Sequence, residues 1–375
     1  MRTNRCWPPS VRRVVLRERI AQRTEALASA GLLRSLSPPS GIDLSSNDYL
    51  GLSQHPEIKR RMAEAVLREG CGSTGSRLLR GERASLSAIE RRFARFKGSE
   101  AALYFANGYM ANMAVLSTFL EPGDVVYSDA LNHASLIDGM RLGRARKVVY
   151  PHCRPPSPEA CEGQVFLVTE SVFSMDGDVA PVPRYPAAAV IADEAHAVGV
   201  FGERGTGLVD AADVFLSINP MGKAFGCAGA FVCGPAWAMD YMIQRARPFI
   251  FSTAAPPAMA AALDAALDLV EGGHDLRERV LGLARFLRGL LADAGFDVAR
   301  EGSQIVPLVI GDNFEAARVA AALQQAGFDV RAIRPPTVPE GTARLRISVN
   351  ANLTETILRR FTDALKTATA RKSAA

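Results

Sequence analysis

Cysteine and long apolar runs are scarce in this chain. Six cysteines among 375 residues are too few for a disulfide-built scaffold, and none forms a C-x-x-C pair of the kind that holds zinc or a redox dithiol. No apolar run reaches the roughly 18 residues that a membrane-spanning helix needs, so we expect no membrane contact. The simplest expectation from these absences is a cytoplasmic enzyme with reduced thiols.

Charge of one sign is not in strong excess either, since the formal net charge is +5. The sequence also lacks helix-turn-helix, zinc-finger and RNP patterns, which excludes a dedicated nucleic-acid binder. The basic residues are nevertheless uneven, because seven arginines crowd the first 23 residues without an apolar segment typical of a secretory signal. A solvated amphipathic helix is the ordinary interpretation of this segment. The arginines are Arg2, Arg5, Arg12, Arg13, Arg17, Arg19 and Arg23.

The overall composition is that of a globular protein, with 48% hydrophobic and 22% charged residues, which excludes intrinsic disorder. The distribution of helix-like segments, short apolar runs and breaker residues divides the chain into three parts. We expect an N-terminal helical arm over 1–45, a large α/β domain over 46–257 and a small C-terminal α+β domain over 258–375. Proline-rich breaker clusters at 37–41 and 254–257 lie near the two boundaries.

Short apolar runs, each bounded by turn or polar residues, alternate with helix-like segments in the middle of the chain. This alternation predicts a mostly parallel seven-stranded sheet covered by helices. Ligands bind such sheets beyond the carboxyl ends of the strands, so polar residues directly after each run are the first site candidates. The seven runs are Ala101–Phe105, Asp124–Tyr127, Lys147–Tyr150, Val165–Thr169, Ala189–Ala192, Val214–Ile218 and Ala228–Cys233.

The C-terminal part follows the order strand, helix, strand, strand, helix, which predicts the small α+β domain. Its strand-like runs are Ile305–Ile310, Phe328–Ile333 and Ala343–Val349, and a helix is expected over Asn313–Gln325 with Gly327 as its stop.

Lys223 differs from the other five lysines because its surroundings are apolar and rich in glycine. Apart from this lysine, the fifteen residues after Asp213 carry no charge. Apolar surroundings destabilise the ammonium form, so the amine becomes nucleophilic. A lone lysine of this kind more often extends its ammonium to the surface, so its role depends on the residues that accompany it.

Asp193 ends one of the predicted strands, His196 follows three residues later, and Lys223 lies thirty residues beyond Asp193. Pyridoxal phosphate (PLP) requires such groups: a lysine for the Schiff base, a carboxylate that keeps the pyridine nitrogen protonated, and a hydrogen bond to the ring 3′-oxygen. Singly, Asp193 fits a helix cap and His196 a core histidine equally well. Jointly, the three residues favour a PLP site.

Three further strand ends fit the same site, although each is a weak signal alone. Ser174 can reach a cofactor oxygen, and a neutral His133 can stack on the pyridine ring. Gly108 and Tyr109 open a predicted helix whose backbone amides suit a phosphate.

Taken together, these motifs resemble the α-oxoamine synthases, a family of fold-type I PLP-dependent enzymes, over about Leu27 to Leu365. The resemblance implies the family fold, PLP as cofactor, a homodimer, and condensation of an amino acid with an acyl thioester with loss of CO2. The segments that carry it, in family order, are Ser46–Leu52, Asn107–Tyr109, His133–Ser135, Glu170–Gly177, Asp193–His196 and Gly222–Lys223.

The segment Ala332–Arg346, with its Arg-Pro-Pro-Thr run, is most similar to members that join L-alanine to a pimeloyl thioester, carried by CoA or by an acyl-carrier protein. The alternatives are a glycine-using member of the 5-aminolevulinate synthase or glycine C-acetyltransferase type, and a non-catalytic subunit that keeps the fold. Arginines near the channel mouth would help to steer an acidic carrier protein.

The resemblance also assigns roles to individual residues. The catalytic residues are Lys223, His133, Asp193 and His196, with Lys223 as Schiff-base residue and general base. The substrate-binding residues are Arg34, Asn47, Thr337 and Arg346. Without the family match, Arg344 fits the substrate carboxylate as well as Arg346 does, because alternation puts both on one strand face.

One position departs from the family pattern. Relatives usually carry threonine or serine three residues before the Schiff-base lysine, whereas this chain has Pro220, which offers neither hydroxyl nor N–H. Asn219 or Ser217 is a candidate substitute, and Ser252 and Thr253 resemble phosphate contacts that members receive from the neighbouring subunit. We therefore expect weaker PLP affinity than is usual in the family.

Overall fold

The structure is a computed structural model that describes residues 9–159, 161–182, 185 and 188–370, with side chains from residue 15 onward. Part of the N-terminal arginine cluster, namely Arg2, Arg5 and the side chains of Arg12 and Arg13, lies outside the described residues. The rest of that segment belongs to helix α1 (Pro9–Ser29), whose side chains are exposed over 15–27. Within the described ranges, every helix is too short or too polar to span a bilayer.

The described residues form strands β1 to β12. Seven of them, β2 to β8, make the main sheet, and their bounds differ from the predicted runs by at most two residues. The strands are β1 (Ile42–Asp43), β2 (Ala101–Phe105), β3 (Val125–Asp129), β4 (Arg146–Tyr150), β5 (Val165–Glu170), β6 (Ala189–Asp193), β7 (Leu216–Pro220), β8 (Ala230–Gly234), β9 (Ile305–Gly311), β10 (Phe328–Asp329), β11 (Ala332–Ile333) and β12 (Ala343–Ser348).

The main sheet has the order β2-β8-β7-β6-β5-β3-β4. Neighbouring strands from β7 to β4 are parallel, and only β8 runs against its neighbours β7 and β2. The prediction of a mostly parallel seven-stranded sheet is thus confirmed. The carboxyl ends of the parallel strands meet at one edge, and the residues that follow them line the candidate site.

Helices cover both faces of this sheet. Besides α1, they are α2 (Pro56–Glu69), α3 (Ala84–Lys97), α4 (Gly108–Phe119), α5 (Ala134–Leu142), α6 (Ala236–Arg245), α7 (Arg247–Ile250), α8 (Ala258–Gly272), α9 (His274–Asp293), α10 (Asn313–Gln325) and α11 (Glu355–Ala370). Local sequence explains where several of them begin and end. Helix α2 has proline in its first turn and is followed by Gly70 at φ +85°, and Asn107 caps α4 by accepting from the Met110 amide.

Each face of the main sheet has its own hydrophobic core. On one face, α4 and α5 bury side chains such as Leu116 and Leu136 against Val168 of β5. On the other face, Phe93 of α3 stacks on Phe231 of β8, with ring centroids 4.2 Å apart. Full burial of such a side chain contributes about 2 kcal/mol, so the sheet is held rigid between its two helical layers.

The C-terminal strands form a separate sheet of order β11-β12-β9, and α10 has the predicted bounds. The prediction of one strand over Phe328–Ile333 is wrong, because the run divides into β10 and β11. β10 pairs in parallel with β1, whereas β11 pairs with β12. The chain passes from one sheet to another between β10 and β11. It does so because the first half of the run pairs with β1, which lies hundreds of residues away in sequence, and the second half pairs with β12. The division of the chain into three domains stays a prediction.

Candidate active site

A cavity of about 1040 Å³ opens beyond the carboxyl ends of the parallel strands. It gathers predicted residues from the α4 start, the ends of β3, β5 and β6, the segment after β7, and the C-terminal sheet. The predicted site residues that line it are Asn47, Gly108, Tyr109, His133, Ser174, Asp193, His196, Lys223, Thr337 and Arg346.

Lys223 lies three residues after β7 and faces the cavity. Its turn closes where Gly226, at φ +63°, donates its backbone N–H to the Lys223 carbonyl. The pKa of Lys223 lies below its ordinary value, chiefly because the amine sits deep in the protein; Asp193 and Glu170 oppose this effect. The structure thus places a lysine with a weakened ammonium form in the cavity.

Asp193 is the last residue of β6 and is buried with 4% exposure. Its Oδ2 accepts from the Asn112 amide at 2.8 Å, and its Oδ1 accepts from the Ala195 backbone N–H at 2.9 Å. These two donors hold the carboxylate in one orientation at the cavity wall. Asn112 was not predicted as a site residue, because its position inside α4 gives no sequence signal.

His133 precedes α5 and caps it, since its Nδ1 accepts from the Ser135 backbone N–H at 3.2 Å. Its own backbone N–H donates to Glu170 Oε1 at 2.7 Å. Partial burial lowers the pKa of the imidazole, with Lys223 also lowering it and Asp193 opposing. A neutral ring at this wall fits the predicted stacking platform.

Glu170 lines the cavity, although its only sequence signal is its place at the start of the Glu170–Gly177 motif. It ends β5 and is buried with 2% exposure. Burial, and then the neighbouring Asp193, raise its carboxyl pKa well above the ordinary value. Its position at the end of a strand could have marked it as a site residue. Its hydrogen bond with the His133 backbone N–H could not be predicted from sequence.

The raised pKa of Glu170 predicts a pH dependence of stability in the cofactor-free protein. The folded state favours the protonated Glu170 carboxyl. The stability that Glu170 contributes is therefore fully present below its pKa in the unfolded chain and is lost as pH rises through its pKa in the folded protein. Glu170→Gln keeps an acceptor for the His133 N–H and removes the titration. We expect the variant to lose less stability than wild type between pH 5 and pH 8, measured by urea unfolding. Equal losses in both proteins would contradict this, and exposed Glu162→Gln is the control.

His196, Tyr49 and Arg346 form a buried chain at the cavity floor. The Tyr49 hydroxyl lies 2.7 Å from His196 Nδ1 and accepts from Arg346 Nη2 at 3.1 Å. Burial lowers the pKa of His196 well below its ordinary value, so the imidazole is neutral. Tyr49 belongs to the Ser46–Leu52 motif, but sequence gave no reason to single it out from its neighbours.

The structure distinguishes the two arginines of β12. Arg346 lines the cavity and donates to the Ser174 carbonyl and to Ser348 Oγ. Arg344 is instead paired with the Asp176 carboxylate. Only Arg346 of the two is therefore placed to receive a substrate carboxylate.

The start of α4 fits a phosphate group. Gly108 brings the helix close to Pro220, since a Cβ at position 108 would lie 2.7 Å from Pro220 Cγ. The free amides of this first helical turn suit an anion. Asn219 and Ser217 do not line the cavity, and the Asn219 amide donates to Ser217 Oγ at 3.0 Å. The polar groups of Asn219 and Ser217 thus face each other rather than the start of α4.

Three predicted residues lie away from the cavity in this single chain. Ser252 and Thr253 line a second, smaller cavity beside Arg77. Arg34 donates to the Pro335 carbonyl at 3.2 Å and is exposed. The expected contribution of Ser252 and Thr253 to the site of a neighbouring subunit stays a prediction.

Residues 39–365 match the family model "Aminotransferase class I and II". The chain is 44% identical to an 8-amino-7-oxononanoate synthase from Geobacter sulfurreducens, over 92% of this chain and 96% of that one. A solved 8-amino-7-oxononanoate synthase from Francisella tularensis has TM-score 0.78 and 28% identity, covering 89% and 99% of the two chains. A serine palmitoyltransferase from S. paucimobilis, solved with bound PLP–myriocin aldimine, has TM-score 0.84 and 29% identity, covering 95% and 98%.

The chain belongs to the aminotransferase class I and II family, and the expected fold-type I architecture and PLP dependence are confirmed. Its relatives at 41–44% identity over most of their length are 8-amino-7-oxononanoate synthases. The resemblance inferred from the motifs is thereby confirmed.

The cavity also fits PLP on its own donor set. A buried carboxylate, a lysine with lowered pKa, a neutral histidine and a helix start occupy different walls of one cavity. These are the groups needed for the ring nitrogen, the aldehyde carbon, the ring face and the phosphate.

Proposed function

We propose that this chain is an 8-amino-7-oxononanoate synthase, which condenses L-alanine with a pimeloyl thioester and releases CO2 and the free carrier, a step of biotin biosynthesis. The observation that carries the proposal is the meeting of Lys223, Asp193 and Arg346 in one cavity. The high identity to named synthases over nearly the whole chain supports the choice of substrates.

Several residues would hold the cofactor. We assign the ring nitrogen to Asp193, the ring face to His133, the 3′-oxygen to Ser174 and His196, and the phosphate to the amides of Gly108 and Tyr109. When bound, PLP supplies the electron sink that makes loss of the substrate Cα proton possible. Because Asp193 is buried and oriented by two donors, it can keep a proton on the ring nitrogen.

Lys223 moves the proton. Its amine would accept the Cα proton of bound alanine and would later return a proton to the product. Burial lowers the pKa of Lys223, which favours the unprotonated amine that a general base requires.

Arg346 orients the amino acid. Its guanidinium, fixed by the Ser174 carbonyl and the Tyr49 hydroxyl, is positioned to bind the alanine carboxylate in a fork geometry. Orientation matters because the bond to be broken must stand perpendicular to the cofactor ring. Asn47 adjoins the same corner through its bond with Tyr49 and is assigned to substrate binding.

The acyl substrate and the assembly are further parts of the proposal. Thr337 lines the cavity and is assigned to the acyl channel. Arg34, which donates to the Pro335 carbonyl outside the cavity, is assigned to substrate binding. We further propose a cytoplasmic homodimer, in which Ser252 and Thr253 complete the partner's phosphate site, with CoA or an acyl-carrier protein as acyl donor.

Release of the free carrier thiol tests the amino-acid choice. Holoenzyme with pimeloyl-CoA is expected to release CoA rapidly with alanine and slowly with glycine or serine. Faster release with glycine would favour a glycine-using synthase. Serine is included because solved serine palmitoyltransferases have similar structures. If no amino acid leads to CoA release and borohydride fixes no cofactor on Lys223, the results would favour a non-catalytic subunit.

Pro220 carries a prediction about cofactor affinity. We expect Pro220→Thr to bind PLP about tenfold more tightly than wild type, because a hydroxyl beside the proposed phosphate site at the start of α4 adds one charge-assisted hydrogen bond. Equilibrium dialysis gives the Kd. Pro220→Val matches threonine in shape without the hydroxyl and is the control. Equal affinities of the threonine and valine variants would contradict the prediction, as would unusually tight PLP retention by wild type.

A further inference from the structure

A second polar cluster lies at the carboxyl edge of the main sheet. It consists of Asp129 at the end of β3, His152 and Cys153 shortly after β4, and Asp178 beyond β5. β5, β3 and β4 are neighbours in the sheet, so their carboxyl ends bring these four residues together. None of the four lines the catalytic cavity, so the proposed function leaves them without a role.

The His152 imidazole lies between two carboxylates. Its Nδ1 is 2.9 Å from Asp129 Oδ1, and its Nε2 is 2.5 Å from Asp178 Oδ2. The Cys153 Sγ is 3.5 Å from the same Nε2 and 3.8 Å from Asp178 Oδ2. A tetrahedral zinc ion with bonds of about 2.0–2.3 Å separates its ligand atoms by roughly 3.3–3.6 Å. The spacings from Cys153 Sγ are close to this range, whereas Nε2 and Asp178 Oδ2 are at hydrogen-bond distance and must move apart to admit an ion.

The two carboxylates are not equivalent. Asp129 is buried, and besides His152 it accepts from the backbone amides of Leu131 at 2.9 Å and Cys153 at 2.7 Å. Asp178 Oδ1, in contrast, is a buried oxygen with no hydrogen-bond partner among the described residues. Asp178 therefore has coordinating capacity to spare, whereas Asp129 is held as a fixed acceptor.

Cys153 adopts an uncommon backbone conformation, with φ +54°. Left-handed non-glycine residues of this kind concentrate at functional sites. The conformation sets its thiol against the ring of the preceding His152, with Sγ 3.5 Å from Nε2 and 3.8 Å from Nδ1. Asp129, His152 and Cys153 already present one ligand atom each within 4.8 Å of one another.

We propose that this cluster binds a zinc ion through His152 Nε2, Cys153 Sγ and an oxygen of Asp178, with water as fourth ligand. Closing the site around an ion requires the side chains of Cys153 and Asp178 to rotate and the hydrogen bond between His152 Nε2 and Asp178 to open. Asp129 holds the ring through Nδ1–H, an arrangement common for zinc-bound histidines. The thiol proton and the imidazole Nε2 proton pass to solvent when the ion binds, and no electron is transferred.

The ion joins three loops. The Asp129 loop leads to His133, the Asp178 turn follows Ser174, and the third loop carries His152 and Cys153. The His152 and Asp178 side chains are 28% and 39% exposed, so an ion can enter from solvent. Zinc is therefore expected to raise the Tm of the holoenzyme by binding only the folded state.

The test measures zinc bound to chelator-treated, PLP-loaded protein after dialysis against Zn²⁺, with affinity from competition with a chromophoric chelator. Wild type is expected to bind one zinc per chain at this site. Cys153→Ser and Asp178→Asn are expected to lower the affinity at least about tenfold, and Asp129→Asn by about 10–100-fold. Cys161→Ser removes another thiol in the same region and is the matched control, expected to bind as wild type does.

Two outcomes would overturn the proposal. One is wild type binding zinc no more tightly than Cys153→Ser and Asp178→Asn; the other is an equal loss in Cys161→Ser. If Cys153→Ser fails to fold, Asp178→Asn still decides, because its side chain is partly exposed. PLP content, measured on the same samples, separates loss of zinc from damage to the catalytic cavity.

Discussion

Lys223→Ala is expected to lower kcat at least about 10⁴-fold, because it removes the group that we assign to both cofactor attachment and proton transfer. Borohydride is expected to fix the cofactor covalently on Nζ of Lys223 in wild type and to leave it removable in the variant. Steady-state product formation and peptide mass mapping measure these two effects.

The control for this variant is Lys59→Ala, which removes an exposed lysine of α2. It is expected to retain wild-type turnover and cofactor attachment. A Lys223→Ala protein that binds PLP and turns over within tenfold of wild type would show that another base carries the reaction. His133 and His196 are candidates for that base, since both are imidazoles with a lowered pKa that line the same cavity.

Asp193→Asn is expected to reduce kcat by at least about a hundredfold, the cost of losing one charge-stabilising group in a water-excluded site. The amide oxygen can still accept from Asn112 or Ala195, so the fold and much of the PLP binding are expected to survive. The measurement is kcat at saturating PLP, with the PLP Kd determined separately. Asp240→Asn on the surface of α6 is the control. A loss confined to PLP affinity, with kcat unchanged, would contradict the assigned role.

Much of the large α/β region could be predicted from sequence because most of its strands, apart from the edge strand β4, are buried on both faces. Continuous apolar runs such as Ala101–Phe105 need no tertiary information to be recognised. The residues that follow those runs, such as Asp193, then fall at one edge of the sheet by topology alone. The predicted cavity residues came together for this reason.

Contacts between distant segments could not be predicted. Tyr49 joins His196 to Arg346, although 147 and 297 residues separate it from them in sequence. Glu170 reaches the His133 amide only because β5 and β3 are neighbours. The single run over Phe328–Ile333 was likewise divided by its pairing with β1, and apolar periodicity carries no information about such a partner.

The substrate assignment is tested most directly by the mass of the product. Holoenzyme, pimeloyl-CoA and alanine or glycine are incubated separately, and the products are identified by mass spectrometry. We expect 8-amino-7-oxononanoate as the product, with alanine as the favoured amino acid. A product formed only with glycine would contradict the assignment within the family. No product with either amino acid, tested also with pimeloyl-loaded acyl-carrier protein, would contradict the proposed reaction itself.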